Sequence, residues 1–475
     1  MPPLTRSLQK KGVTKNVTYL SNTVEDRTEM LEAIGIASFD NLLEPIPENL
    51  RLKTLLNLPP ALDESGLLRH LNKMAGRNVN LEACISFLGA GVYDHFRPAV
   101  VAALQGRGEF ATSYTPYQPE MSQGMLQAIY EYQTLICTLT WMDLANASMY
   151  DAATGVAEAA LMAIHILDRH DVVVTEAMHP HYRQVLKTYL DATGFNMVTV
   201  PLSGFASDTS SEFESLSTYI NDRTACVLFQ QPDFFGRVID QKEYVEAAHR
   251  VGALAISCVD PISLGLLKPP GELDVDIVVG EGQSLGNPMG FGGPLLGFFA
   301  CKKKFVRHFP GRIVGATVDE SGNRGYTMTL RTREQDIRRE KATSNICTNQ
   351  ALLALAATIY LCELGKAGMT QVSDLSLQKA HYAYRELTAL EGVEAVFPQS
   401  PFFKEFALKL SKPVVEVNRE LLKAGILGGL NLDTYYENNV NLANTTLFCV
   451  TETRTREDID LLVSTLKKVL GNASV

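Results

Sequence analysis

The chain has 475 residues, 46% hydrophobic and 20% charged, enough to bury a large core and too many for one compact unit, so two or three domains are expected. Its 43 basic and 53 acidic residues give a net charge of −10, which argues against a general nucleic-acid binder, since that role needs a basic surface. No uninterrupted apolar run approaches the roughly 20 residues of a membrane span, and the opening MPPLTRSLQKKGVTKNV lacks the apolar segment of a secretory signal.

A soluble, unexported, cytoplasmic chain is therefore expected. Arg6, Lys10, Lys11 and Lys15 precede the first acidic residue, Glu25; they read as a basic leader, with an organelle transit peptide as the other reading. The eight cysteines form no CxxC pair and mostly lie in apolar runs such as ACVLF and AISCV, so they read as reduced core residues. His179-Pro180-His181 has no nearby cysteine or acidic third ligand, and no metal site is expected.

In chain order, residues 25–80 read as short helices punctuated by Pro45, Pro47, Pro59 and Pro60, an N-terminal layer that wraps something. Short apolar, β-branched runs then alternate with helical stretches: DVVVTE (171–176), MVTVP (197–201), ACVLF (225–229), ALAISCVD (253–260), DIVVG (276–280) and LLGFFA (295–300), with VAEAALMAIHILDRH (156–170) and KEYVEAAHRVGA (242–253) among the helices. That pattern predicts a doubly wound, mostly parallel sheet covered on both faces. After about residue 345 come the helix NQALLALAATIYLCELG, the weak strands VEAVFP and FKEFALKL, the helix PVVEVNRELLKAG, the strand TLFCVTE and the helix REDIDLLVSTLKKVLG, a small α+β domain. The expected domains are 1–84, 85–340 and 341–475.

Three segments could carry chemistry. In YTPYQPEMSQG (114–124), Pro116 and Pro119 stiffen a loop that presents Tyr114, Tyr117, Gln118 and Glu120, before a helix that Ser122 could cap and that runs to about Thr140. An aromatic, amide and carboxylate set suits a site lining; the plainer reading is a connecting loop. In DAATGVAEAA (151–160) a small-residue turn with Thr154 and Gly155 opens a helix whose free N–H groups could hold a phosphate or carboxylate, although GxGxxG and Walker spacing are missing and an ordinary strand-to-helix turn is the plainer reading. In DIVVGEGQSLGNPMGFGGPLLGFFAC (276–301) dense glycines permit close backbone approach, or simply make a long connection irregular.

Together with IPENLRL (46–52), SFLGAGVYDH (86–95), NASMYDAATGVAEAA (146–160), QPDFFGRVID (231–240), GPLLGFFACK (293–302), the long stretch from Pro310 to Leu352 and VTETRTREDIDLLV (450–463), these segments resemble the glycine-decarboxylating P-protein of the glycine cleavage system from residue 25 to the end. The likeness is to its N-terminal half, made in some organisms as a separate first (alpha) subunit. It implies the fold of the large pyridoxal-phosphate (PLP) transaminase class, fold type I: a large α/β domain with a seven-stranded, mostly parallel sheet and a small C-terminal α+β domain. It also implies a lysine for PLP shortly before the glycine run, since that chemistry needs an amine that forms a Schiff base. Counting back from Pro288 puts Gln283 there, and counting forward from Asp276 puts Ser284 there. Neither forms an imine, so no covalent cofactor is expected on this chain.

By the same resemblance Asp260 corresponds to the aspartate pairing with the pyridine nitrogen, His179 to the histidine stacked on the ring and Thr154-Gly155 to the phosphate turn, a degenerate pocket. Each has a structural alternative: Asp260 capping a turn, His179 a satisfied loop histidine. The family implies a partner beta subunit that carries the lysine and PLP, in a heterodimer or heterotetramer. Glycine then loses CO2, and its aminomethyl group passes to the lipoyl arm of the H-protein, with T- and L-proteins in the same system. This chain would complete the partner's site through the 114–124 loop and through the 323–349 stretch, with Arg324, Arg331, Arg333, Arg338, Arg339 and Lys341; a solvated helix with Glu334 and Arg338 at i, i+4 is the plainer reading of that stretch. A structural or regulatory paralogue and a self-sufficient PLP enzyme are the competing readings.

Overall fold

Apolar β-branched runs separated by amphipathic helices bury well as a sheet between two helical layers, and the computed structural model is built that way. It describes residues 22–471 except 53, 55, 56, 114, 115, 117, 203–215 and 437–439, and divides into two units, Met1–Asn78 and Val79–Val475.

In the first unit, helices Val24–Ile34 and Glu64–Ala75 start at side-chain caps, Thr23 and Asp63. Among its described residues none of the helical ones is buried, and Leu67, Leu68, Leu71 and Met74 lie exposed along one helix.

Among its described residues the second unit holds two larger sheets and two small pairings. Strands β2 (Leu144–Ala145), β3 (Asp171–Thr175), β4 (Asn196–Val200), β5 (Thr224–Gln231), β6 (Leu254–Val259), β7 (Ile277–Glu281) and β8 (Gly297–Cys301) form a seven-stranded sheet in the order β2-β8-β7-β6-β5-β3-β4. Strands β4, β3, β5, β6 and β7 run parallel and β8 antiparallel. Period-two alternation supplies both faces: Val173, Val227 and Phe229 enter one core with Tyr132 and Ile136, while Val172, Val174, Cys226 and Leu228 enter the other with Val156 and Leu186. A second sheet has the order β11 (Val393–Ala395), β12 (Glu405–Leu410), β15 (Thr445–Cys449), β14 (Leu430–Asn431) and is antiparallel throughout. Strands β9 (Ile313–Val318) and β10 (Arg324–Thr329) form a hairpin, and β1 (Ile85–Ser86) pairs with β13 (Ile426–Leu427).

Helix Ala351–Thr388 meets the length and composition of a membrane span, which the uninterrupted-run criterion missed. Its Ala354, Ala356, Ala357 and Tyr360 lie in the core of the large sheet, and the backbone kinks at Gly365, φ 57°. Cys226, Cys258, Cys301 and Cys449 are core residues as expected, but Cys347 and Cys362 are exposed.

Candidate functional site

Parallel strands put their C-terminal ends along one edge, and the chain order reverses beside β3, because β4 lies on one flank of it and β5 on the other. Loops collect ligands at such a point. His179 follows β3, Asp260 follows β6, and Gln283 and Ser284 follow β7. The structure therefore brings four of the sequence-derived positions to one mouth.

His179 is buried and heads helix Pro180–Thr193. Its Nδ1 accepts the His181 N–H at 3.1 Å, so Nε2 carries the proton and donates to the Ala90 carbonyl at 2.8 Å. Burial pulls its pKa down to about 4, which keeps the imidazole neutral. Its flat face stacks on Tyr182, with centroids 4.3 Å apart and planes 14° apart. Gly91, at φ 93°, leaves room for this stack: a Cβ there would meet the Tyr182 hydroxyl at 3.1 Å and the His179 ring at 3.2 Å.

Asp260 does cap a turn, accepting the Ile262 N–H at 3.1 Å, but its other oxygen lies 2.7 Å from Lys404 Nζ. Lys404, 1% exposed, precedes β12 in the other sheet. Its ammonium also donates to His95 Nε2 at 3.0 Å and sits 3.4 Å from the Tyr93 ring centre. His95 Nδ1 in turn meets Glu452 at 2.6 Å, so carboxylate, ammonium, imidazole and carboxylate form a buried chain. A buried charge persists only when matched this way. Beside it, the Glu405 carboxyl accepts the Tyr93 hydroxyl at 2.8 Å and the Ala90 N–H at 2.6 Å, and burial pushes its pKa up to about 7.

Helix Ala152–Leu167 opens beside the same mouth. Its N-cap Asp151 accepts the Thr154 N–H at 2.8 Å, and the Thr154 hydroxyl turns back onto Asp151. The Glu281 carboxyl accepts the Ala152 N–H at 3.1 Å, the Gln283 N–H at 3.0 Å and the Leu296 N–H at 2.8 Å. Burial raises its pKa to about 7 against those three donors. Carboxyl groups thus take the Ala152 and Thr154 N–H groups at this helix start, and the Gly155 N–H bonds the Asp151 carbonyl.

Gln283 is buried, and its amide works like a strand partner for Tyr93: Oε1 accepts the Tyr93 N–H at 2.9 Å, and Nε2 donates to the Tyr93 carbonyl at 3.1 Å and the Asn287 carbonyl at 2.9 Å. Ser284 Oγ is buried without a hydrogen-bond partner among the described residues. The cavity at this mouth, lined by Gly91, Tyr93, Tyr182, Asp260, Glu281 and Lys404, has a volume of about 30 Å³, whereas small-molecule sites span roughly 300 Å³ or more. A roomier depression of about 690 Å³ lies at the opposite edge of the sheet, where Asp276 is already paired with His249 and Lys302.

Tyr114 and Tyr117 lie outside the described residues. Pro116 is buried, while Gln118 and Glu120 are exposed. Ser122 makes no side-chain cap; instead Gln123 ties the helix start to Tyr326 by bonds of 2.8 and 2.9 Å. The 323–349 stretch is no continuous helix, since Gln335–Arg338 is a single turn between 3₁₀ segments. Arg331 pairs with Asp336 at 2.7 Å, Arg333 donates to the carbonyls of Phe309 and Gly311, and Arg338 donates to that of Thr332 at 3.2 Å. Arg324, Arg339 and Lys341 are exposed.

Sequence reasoning missed Lys404, Tyr182, Glu281, Tyr93, His95 and Glu405. Lys404-Glu405 between Phe402-Phe403 and Phe406 was the available signal: adjacent charges inside an apolar strand run need buried partners.

The P-protein model of the glycine cleavage system matches residues 17–466. A probable glycine dehydrogenase (decarboxylating) subunit 1 of Desulforamulus reducens is 50% identical over 94% of this chain and 99% of its own length, and one of Brevibacillus brevis is 50% identical over 95% and 98%. A crystal structure of glycine decarboxylase (P-protein), in inhibitor-bound form, superposes with a TM-score of 0.85 at 44% identity, covering 95% of this chain and 100% of that one. A cysteine desulfurase from Escherichia coli, at 16% identity and a TM-score of 0.60, shares the fold alone. The chain belongs to the glycine cleavage system P-protein family, among its subunit 1 members.

Proposed function

We propose that this chain is the subunit of the split glycine decarboxylase that does not anchor the cofactor, and that it completes, from across an interface, a site held by a partner beta subunit. The observation that carries this reading is the filled mouth. Gln283 and Ser284 offer no amine for a Schiff base, Asp260 is spent on Lys404, and the turn that would take a phosphate faces the carboxyl groups of Asp151 and Glu281. PLP does not fit these residues.

The partner's PLP would supply the electron sink for decarboxylation of glycine, and the aminomethyl group would pass to a lipoylated H-protein, with T- and L-proteins acting in the same system. This chain's part is positioning and exclusion of water. Buried Pro116 anchors the loop, and Gln118 and Glu120 point to solvent in the isolated chain; with Tyr114 and Tyr117 they would reach into the partner's site. Arg324, Arg338, Arg339 and Lys341 are exposed cations of the 323–349 stretch that would meet an anionic partner group. The exposed apolar residues of helix Glu64–Ala75 supply an arm for association in a heterodimer or heterotetramer, in a cytoplasmic setting.

The test is an absorbance spectrum with added PLP followed by borohydride reduction, on the chain alone and with its beta subunit. The expected result is no reduced adduct at Gln283 or its neighbours and no glycine decarboxylation by the chain alone, with both properties in the complex. A stoichiometric reduced adduct on one lysine of the isolated chain would make it a self-sufficient enzyme, and full activity of the beta subunit alone would make it a structural paralogue.

A further inference from the structure

Three surfaces at the strand mouth are of the kinds that receive a small charged aromatic molecule. The neutral imidazole of His179 offers a flat face, the Asp260 carboxylate offers an anion for a cationic nitrogen, and the start of helix Ala152–Leu167 offers N–H groups to an anion. Each is met by a side chain of matching chemistry. The Tyr182 ring stacks on His179 at 4.3 Å, the Lys404 ammonium pairs with Asp260 at 2.7 Å, and the Glu281 carboxyl accepts from Ala152 at 3.1 Å.

We propose that this pocket is a ligand site whose ligand is the chain itself, with Tyr182 in place of an aromatic ring, Lys404 in place of its protonated nitrogen and the Glu281 carboxyl in place of its hydrogen-bond-accepting tail. The inference rests on this mouth being the place of the family's cofactor pocket, and not on the role proposed toward the partner subunit.

Tether and hydrogen bonding both favour the internal groups. Side chains fixed by the fold act at effective concentrations far above those of a free metabolite, so an entering molecule must displace three satisfied contacts at once. A phosphate would also meet the carboxyl oxygens of Glu281 and Asp151, which already accept the Ala152 and Thr154 N–H groups it would need. The three stand-ins come from separate segments: Tyr182 from the helix after β3, Glu281 from the end of β7 and Lys404 from the residue before β12. The self-filled pocket is therefore also a joint between the two sheets, and it is complete without any small molecule.

The test uses the purified full chain without partner or glycine, so its outcome is read independently of decarboxylation. The probe is pyridoxine 5′-phosphate, which has ring, nitrogen and phosphate but no aldehyde to react with surface lysines. Calorimetry should show no saturable binding to the parent at millimolar probe. The double variant Tyr182→Ala/Glu281→Ala, with ring slot and anion cup vacated, should bind at least roughly tenfold more tightly than the parent and be thermally stabilised by the probe. Saturable one-to-one binding to the parent, or a folded double variant with no gain, would overturn the proposal. Should the variant fail to fold, reductive methylation of the parent decides: Lys404 should stay unmodified while Lys303 and Lys304 react, and modification of Lys404 at their rate would sink the idea.

Discussion

The ammonium of Lys404 and the carboxylate of Asp260 meet at 2.7 Å, joining the residue before β12 of the small sheet to the residue after β6 of the large sheet, with 1% of the lysine exposed. Removing one member of such a pair strands a buried charge, at about 3–5 kcal/mol, while removing both relieves much of that. Lys404→Met and Asp260→Asn should each lower the denaturation midpoint strongly, and the double variant should recover part of the loss. Single variants as stable as the parent would show the pair to be immaterial.

Stability should also depend on pH through Glu281 and Glu405. Their ordinary pKa of 4.5 is raised to about 7 in the fold, so the fold holds these protons more tightly than the unfolded chain does. Their contribution is whole below pH 4.5 and is lost as pH rises through about 7. His179 acts oppositely: lowered from 6.5 to about 4, it contributes above pH 6.5 and its contribution is lost as pH falls through about 4. With His179 offsetting one glutamate up to pH 6.5, the thermal midpoint should therefore fall from about pH 4.5 to about pH 7, most steeply above pH 6.5, and Glu281→Gln and Glu405→Gln should each flatten that slope. An unchanged slope in both would contradict the assignment.

Gly236 and Gly35 make a controlled comparison, with φ of 85° and 80°. A Cβ at Gly236 would overlap the Glu405 backbone carbonyl, whereas at Gly35 nothing lies within 4 Å. Gly35→Ala should cost only the left-handed backbone strain, about 1–2 kcal/mol. Gly236→Ala should cost distinctly more or abolish folding, as soluble yield and denaturant titration will show.

In the assembled enzyme, Tyr117→Phe and Glu120→Gln should reduce glycine decarboxylation by roughly ten- to a thousandfold if the loop positions reacting groups and excludes water. Assembly and PLP content should stay unchanged. Parent-like rates in both would make the loop a structural connection, and dissociated complexes would make it an interface element.

Leu68→Asp and Leu71→Asp, on the exposed apolar side of helix Glu64–Ala75, should weaken association with the beta subunit without lowering the melting temperature of the isolated chain. Obligate interfaces of about 2,000 Å² or more depend on such apolar area. Sedimentation showing undiminished assembly would remove this arm from the interface.

The large sheet was legible because its strands are continuous apolar runs: DVVVTE and ALAISCVD could only be central strands. Leu144–Ala145, Ile85–Ser86 and Ile426–Leu427 were not, because a two-residue strand has no period and is held by its partner's register. The hairpin at Ile313–Val318 and Arg324–Thr329 went unread for a different reason, its first strand being buried only at Ile313 and Val314 and exposed from Ala316 to Val318, with little apolar alternation. At the site, Asp260, His179 and Gln283 were named through the family resemblance, and the structure brings them to one mouth. Their partners were invisible because Lys404 lies 144 residues beyond Asp260 and no local pattern records that distance.

Helix Ala351–Thr388 belongs to two cores at once: Ala354, Ala356 and Tyr360 pack under the large sheet, and Ala380, Ala383 and Leu387 under the small one. Neither sheet can shed this helix without opening the other's interior, since both halves hang on one backbone with a single bend at Gly365. Melting of either region should therefore drag the other along, making Val79–Val475 one cooperative unit whose slowest-exchanging amides lie on both sides of that bend.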